Sequence, residues 1–296
     1  MVLRNVFAWL YGWEPCDFAT YKMVWQQFGG SVCTHPDVLQ FLSAETGAKL
    51  DFYVIRRKQV YVGACYAVKG SLSLQDRRYP FVFDDIMLPL QTKKVGYLPT
   101  VTKRLSPHHR TDFLNVLFSR YLKNKLCYVK ESLSKASQKK RNGEMKKFLA
   151  CGGEIRWVND FSDSELADIY IDVFKQRWQA KIYCFARDDL IRTFAALRHL
   201  LFGAVFFIHG RPCAFDIIFM AECDGYFYFD DINGGYSQDY PEFNLGSILL
   251  WVNICKAKEL CTAKDKKFKF SLGVYKDYWS YKKQWCDILP LGRTLF

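Results

Sequence analysis

The stretch from Phe227 to Trp285 leaves this chain fewer folding choices than any other part of it. Tyr226–Ile232 (YFYFDDI) is an aromatic run of strand length and composition. Asn233 to Phe243 then carries the common turn signals, with a glycine pair, Asn, Ser, Asp and Pro close together. Asn244–Ser247 (NLGS) opens a helix, with Asn244 or Ser247 as N-cap. Leu245, Ile248, Leu249, Val252 and Lys256 recur at helical spacing and carry that helix to about Leu260. A second strand, Phe268–Leu272, is closed by Gly273, and Tyr275–Trp285 ends the stretch as a basic-aromatic tail. The order is a strand–helix–strand crossover. Free backbone N–H groups and the dipole make a helix start an anion site. Gly246 lets a phosphate approach the backbone there. The competing reading is an ordinary loop-to-helix junction.

The rest of the chain reads in the same alternation. Asp17 begins a helix through Phe28, stopped by Gly29 and Gly30, and Thr34 or Asp37 begins another through Ala44, stopped near Gly47. Leu50–Arg56 and Gln59–Val68 form a hairpin turning at Arg57 and Lys58, and Arg77–Phe83 is a further strand. Asp84 and Asp85 invite an acid/base reading. With no second group spaced to work with them, they read as a strand-end turn. His108 and His109 sit at the start of a helix, Pro107–Tyr121, with too few neighbours for a metal site, and read as capping or surface histidines. After Gly152 and Gly153 the pattern restarts: strand Glu154–Val158, helices Ser162–Ala180 and Asp188–Leu201, then strands Gly203–His209 and Pro212–Ala221 about a tight turn at Gly210. Helices followed by antiparallel strands and then a crossover is an α+β order, and the first half is a looser version of the same order.

Charge narrows the function classes. The chain has 296 residues, half of them hydrophobic and 17% aromatic, which excludes global disorder and leaves room for one large or two ordinary domains. A net charge of +12 calls for an anionic partner. The most basic segment is Lys123–Lys147, interrupted only by Glu131 and Glu144. It reads as a solvated helix face, as a phosphate-binding helix beside a donor channel, or as a nucleic-acid contact. Sequence-specific DNA binding needs a docking element as well as charge, and no helix-turn-helix, zipper or finger pattern is present. The eleven cysteines include no CxxC pair, which argues against a disulfide framework or zinc site and for a reducing compartment. Met1–Trp13 looks faintly like a signal peptide, but its apolar part is short and no small-residue cleavage site follows. It reads as a capping element, with contact to a membrane surface as the alternative.

The ordered set of Asp231 with its loop to Tyr240, the helix opened at Asn244–Ser247, the strand Phe268–Gly273 and Tyr281–Trp285 (YKKQW) resembles the C-terminal half of Fem-like acyltransferases, which have the GNAT (N-acetyltransferase) fold. Ser137–Lys147 followed by Cys151–Glu154 (CGGE) is similar to that family's basic helix ending in glycine before a strand, and the match covers about half the chain, Ser132 to Asp287. More narrowly, the whole chain resembles the Mig-fourteen family of bacterial proteins. The opening carries this match in Gly12–Trp13, Phe28–Ser31 (FGGS) and Thr34–Pro36 (THP). That family is implicated in resistance to cationic antimicrobial peptides and was once labelled a transcriptional activator.

The resemblance implies two tandem GNAT-like domains, residues 1–125 and 126–296, with mixed central sheets flanked by helices. The second would carry an acyl-transfer site. It further implies Asp231, Tyr236 and Lys282 as catalytic residues, and Asn244, Leu245, Gly246 and Ser247 at the donor's phosphates. Asp230, Asp239, Tyr281 and Trp285 would contact substrate, and no metal is implied. The donor is an acyl-CoA or an aminoacyl-tRNA. A single glycine preceded by the acidic Glu242 departs from the glycine-rich, basic turn usual for acetyl-CoA. The acceptor is an amine of an envelope molecule or a peptide, the cationic antimicrobial peptide included. The expected location is cytoplasmic, or peripheral on the inner membrane. Two further classes stay open: a non-catalytic resistance protein binding peptide or lipid, and, with least support, a DNA-binding regulator.

Overall fold

The computed structural model describes residues 10–91, 96–179 and 181–295. The expectations for the first nine residues lie outside this set. The N-terminal half opens with a three-stranded antiparallel sheet in the order β1 (Trp13–Cys16), β2 (Asp51–Arg57), β3 (Val60–Ala67). Two helices cover it, α1 (Phe18–Phe28) and α2 (Pro36–Thr46). The Asp17 carboxylate caps α1 by accepting from the Thr20 N–H at 2.8 Å, and Tyr21, Val24 and Trp25 form its buried stripe. The β2–β3 turn falls at Lys58–Gln59, one residue beyond the expected Arg57–Lys58.

Residues 68–124 depart from expectation. Arg77–Phe83 is not a strand. Tyr79, Phe81 and Phe83 do alternate inward and are buried, but the segment pairs with no strand. It is a packing rail: Phe81 packs tilted against Phe219 of the second half, ring centroids 4.9 Å apart. Pro107–Tyr121 is not a helix either. A single 3-10 turn, Pro107–His109, is followed by irregular chain and the two-residue strand β4 (Val116–Leu117). Side chains here bond to the backbone of neighbouring loops rather than lining one face of a helix. Asn115 accepts from the Leu98 N–H at 2.8 Å and donates to the Leu98 carbonyl at 2.9 Å. His109 is buried, not a surface residue: its Nε2 accepts from the Leu88 N–H at 2.8 Å, and its Nδ1 pairs with Asp112 at 2.9 Å.

The second half is built on β5 (Lys125–Val129), α3 (Lys135–Ala150), β6 (Gly153–Trp157), α4 (Asp163–Trp178), α5 (Arg187–Ala196), β7 (Leu201–Phe202), β8 (Ala204–Ile208), β9 (Arg211–Glu222), β10 (Tyr226–Tyr236), α6 (Leu245–Ala263), β11 (Lys267–Val274), the single turn α7 (Lys282–Trp285), β12 (Cys286–Pro290) and β13 (Arg293–Thr294). Its sheet runs β12-β5-β11-β10-β9-β8-β6, with β7 beside β9, while β13 returns to pair with β4. Only β10 and β11 are parallel, joined by the crossover through α6. Their ladder stops at Asp230 opposite Ser271. Beyond it β10 follows β9 to Tyr236 and β11 follows β5 to Val274, so the two strands part and leave a wedge in the sheet.

The two halves share one core. Trp25, Tyr66 and Phe81 belong to the same buried cluster as Phe219, Tyr228, Val274 and Leu291. Asp85 sits within it, 3% exposed, accepting hydrogen bonds from the Tyr128 and Tyr228 hydroxyls. The strand-end turn expected at Asp84–Asp85 is therefore a buried polar tie between the halves for Asp85. Burial pushes its carboxyl pKa up, opposed by the two tyrosines. A second cluster, with Phe227, Phe229, Trp251, Phe270 and Trp285, lies under α6.

Candidate functional site

A cleft of about 620 Å³ opens where β10 and β11 part. Its floor is the end of β10, from Asp231 to Tyr236. One wall is the start of α6, Asn244 to Ser247, and the other is Trp279, Tyr281, Lys282 and Trp285 after β11. Arg177 and Trp178, at the end of α4, close it from above.

Backbone geometry sets each position. Gly235 lies directly beneath α4: a Cβ there would overlap the Val173 carbonyl and the Phe174 nitrogen. Only glycine lets the helix come down onto the strand. That contact delivers Arg177 and Trp178, which donate to the Gly234 carbonyl at 3.2 and 3.0 Å. The Arg177 guanidinium lies 4.3 Å from the Trp178 ring and 4.7 Å from the Tyr236 ring. What Gly246 makes room for is Tyr236, whose ring would stand 3.1 Å from a Cβ at that position.

The first turn of α6 holds no acidic residue, and Asn244 makes no side-chain cap bond. The orphan N–H groups of a helix start are thus not taken by the helix's own side chains. Lys282 is 7% exposed, and its ammonium donates to the carbonyls of Leu272 and Val274, the edge that β11 exposes when it leaves β10. Burial lowers its pKa, with the charges of Cys127 and Asp231 opposing. Two of its three donors are committed, which leaves one for the cleft. Behind Trp285 the buried Arg141 packs at 4.9 Å from the ring, held by Glu144 at 2.9 Å.

The cleft brings together Asp231, Tyr236, Asn244, Leu245, Gly246, Ser247, Tyr281, Lys282 and Trp285. It does not bring in Asp230 or Asp239. Asp230 precedes Asp231 on a strand and points to the other face, toward Asp85 and Ser271. Burial pushes its carboxyl up to about 7, with Asp85 adding to the rise. Asp239 is exposed in the loop beyond β10.

Three contributors were not singled out in the sequence. Asp216, on β9, lines the cleft beside Asp231, and Arg177 and Trp178 come from α4. The signal for Asp216 was present: it is one carboxylate in the middle of the apolar strand CAFDIIF. Burial pushes Asp216 up to about 6, with Arg177 opposing. Burial and then the charge of Asp216 hold Asp231 well above the usual carboxylate range, with Lys282 opposing. From α3, the Lys147 ammonium reaches the segment just before α6, 5.6 Å from the Phe243 ring and 3.5 Å from the Glu242 carbonyl.

Comparison with known proteins places this architecture. The family model Mig-14 matches residues 35–294. Among solved structures, FemX aligns at 8% identity over 94% of this chain and 95% of that chain, with a TM-score of 0.59. L-PGS from Bacillus licheniformis aligns at 12% identity over 94% and 91%, with a TM-score of 0.51. A C-terminal domain assigned to a lysylphosphatidylglycerol synthetase from Agrobacterium fabrum aligns at 17% identity over 57% of this chain, with a TM-score of 0.40, and this chain spans 58% of it. No curated protein sequence matches. The fold is accordingly α+β with two GNAT-like units in tandem, the first reduced to three principal strands and two helices. No helix among the described residues is long and apolar enough to cross a membrane.

Proposed function

The chain belongs to the Mig-14 family, and from that premise we propose that it is an acyl- or aminoacyltransferase that acylates an amine and contributes to resistance to cationic antimicrobial peptides. The observation that carries the reading is the convergence, at the wedge between β10 and β11, of an uncapped helix start, a buried lysine and a carboxyl of raised proton affinity. The unit from residue 126 onward carries the site. The donor's anionic part lies at the α6 start, with Lys147 and Arg141 of α3 nearby. An acyl-CoA diphosphate and the 3′ end of an aminoacyl-tRNA both suit this chemistry.

In the reaction the amine lone pair attacks the donor's carbonyl carbon. A C–N bond forms and the carbonyl oxygen becomes an oxyanion, faced by the first-turn N–H groups of α6 and the free donor of Lys282. Asp231 takes the proton released by the amine, a task suited to a carboxyl whose proton affinity burial raises. The C–S or C–O bond then breaks, and the leaving group takes a proton from the Tyr236 hydroxyl. Trp178, Tyr236 and Trp279 hold the two substrates in register.

The test is thermal melting with acetyl-CoA, longer acyl-CoA species and a non-hydrolysable aminoacyl-tRNA analogue. A donor at one hundred times its Kd adds about 2.7 kcal/mol, a rise of roughly 4 °C for a chain of this length. In Ser247→Asp the rise is lost, because a carboxylate in the first turn keeps the helix but repels the donor. A wild-type protein that melts cooperatively and is stabilised by none of these donors would reject the transferase reading.

A further inference from the structure

We infer that Cys127 and Cys286 form a site of reversible oxidation: a peroxide closes them to a disulfide, and the closure pulls the cleft wall that carries Lys282. Neither thiol takes part in the acyl-transfer reading, and the inference does not rest on it. The two residues come from adjacent antiparallel strands. Cys127 stands opposite Ile288, and Cys286 stands opposite Val129. Residues two apart share a face of a strand. The thiols are thus diagonal neighbours on the face under α6, in one buried cluster with Val129 and Trp285. Cys127 is 0% exposed and Cys286 3%.

A cation stands beside them. The Lys282 ammonium donates to the carbonyls of Leu272 and Val274. That stretch of β11 runs against Leu126–Tyr128 of β5, with a register shift between Ser271 and Val274. The positive charge therefore lies next to Cys127. The Cys286 thiol donates to the Cys127 sulfur and lowers its pKa; burial opposes, and the Lys282 charge lowers it further. Cys286 is raised by the same hydrogen bond and by burial. Cys127 thus takes the thiolate and Cys286 keeps its proton. Burial pushes Cys16, Cys33, Cys65, Cys213 and Cys261 the other way, so they lack this activation.

Peroxide reaches the buried pair when β12 opens, an edge strand of five residues that pairs only with β5. The Cys127 thiolate attacks one peroxide oxygen. An S–O bond forms, the O–O bond breaks, and the departing hydroxide takes a proton from solvent, leaving a sulfenic acid. The Cys286 sulfur then attacks the Cys127 sulfur. The S–S bond forms, the S–O bond breaks, and hydroxide leaves as water with the Cys286 proton. The two sulfurs have lost two electrons, and the peroxide has become water. Diagonal neighbours stand about 7–8 Å apart at Cα, whereas a disulfide spans at most about 7 Å, so closure draws the start of β12 roughly 1 Å along β5. Cys286 directly follows α7, so Lys282 and Trp285, both walls of the cleft, move with it. Burial lowers the Lys282 pKa and the Cys127 charge is the strongest to oppose it; the disulfide removes that charge. A bond strained in this way is readily reduced again.

The experiment uses no acyl donor. The reduced full chain is treated with hydrogen peroxide, alkylated, digested and mapped by mass spectrometry, with tryptophan fluorescence followed in parallel. The peptides bearing Cys127 and Cys286 are expected to be joined with the loss of two hydrogens and parted again by dithiothreitol. Fluorescence should change at the same rate, since Trp285 adjoins Cys286. The exposed Cys151 and Cys255 take no part in the link. In Cys286→Ser the sulfenic acid has no thiol to resolve it, and dimedone should label Cys127 about tenfold more than in wild type. The wild-type map needs no variant to fold. Cys127 remaining a thiol while Cys151 oxidises, or passing unlinked to a sulfinic acid, would overturn the inference. A link formed with no change in fluorescence would overturn the pull on the cleft wall. Failure of the link leaves the transferase reading untouched, and a linked protein that no donor stabilises in its reduced form would remove the transferase alone.

Discussion

Replacing Asp216 by asparagine is expected to make the protein more stable at pH 7.5. Burial raises the Asp216 carboxyl from 3.8 to about 6. The group binds its proton more tightly folded than unfolded, so between about pH 4 and 6 the native state holds more protons. Stability then falls as pH rises through that window, and above it the ionised carboxylate costs the fold the whole difference. Roughly two pH units at about 1.36 kcal/mol each gives an upper bound near 3 kcal/mol. Asparagine keeps the shape and never ionises. Its amide hydrogens need partners that Asp216 did not, which lowers the gain to about 2 kcal/mol. At about 2.1 cal/mol/K of unfolding entropy per residue, this chain's Tm rises by roughly 3–5 °C. The assay is circular-dichroism melting of both proteins at pH 7.5 and pH 4.0. The offset should be present at the first and nearly absent at the second. A variant that melts below wild type at pH 7.5, or an offset equal at both pH values, would refute the account of a charge held in the cleft against the interest of stability.

Two further perturbations test the frame of the site. Gly235→Ala sets a methyl against the backbone of α4, where neither side can rotate away. It should cost about 3 kcal/mol or more, read as a Tm loss near 5 °C; Gly246→Ala meets only the edge of the Tyr236 ring at 3.1 Å and should cost under about 1 kcal/mol. Lys282→Met leaves the carbonyls of Leu272 and Val274 without their donor and should cost about 2–4 kcal/mol in denaturant melts. It also removes the positive charge that opposes the rise of Asp231, so Asp231 should titrate still higher by carboxyl NMR.

Much of the architecture was legible because it is local. The Asp17 cap, the hairpin turning after Arg57 and the crossover through α6 each follow from short-range rules, and the structure has them. Arg77–Phe83 shows the limit. Its aromatic alternation was read correctly as burial on one side, but alternation does not reveal whether a neighbouring strand exists to pair with. At 107–121 Asp112 ties locally to His109, while Asn115 finds a partner at Leu98 that only the folded chain brings near. The cleft divides in the same way. Asp231, Tyr236, Lys282 and the α6 start lie within one contiguous stretch, so their convergence follows from the crossover. Arg177 and Asp216 arrive from a helix and a strand upstream of that stretch. The separation of Asp230 from Asp231 was contained in the strand period: neighbours on a strand face opposite ways, so one of the two was bound to miss the cleft.

The tie at Asp85 has a consequence for how the chain is made. Its partner Tyr228 lies 143 residues downstream, and Thr102 waits for Thr294, 192 residues away. A ribosome adding about 5–20 residues per second delivers these partners roughly seven to forty seconds late. Throughout that interval Phe81 and the other aromatics of the first half have emerged without the sheet they pack against. Apolar surface left exposed over that interval is aggregation-prone. A slow codon between the two halves lengthens that exposure.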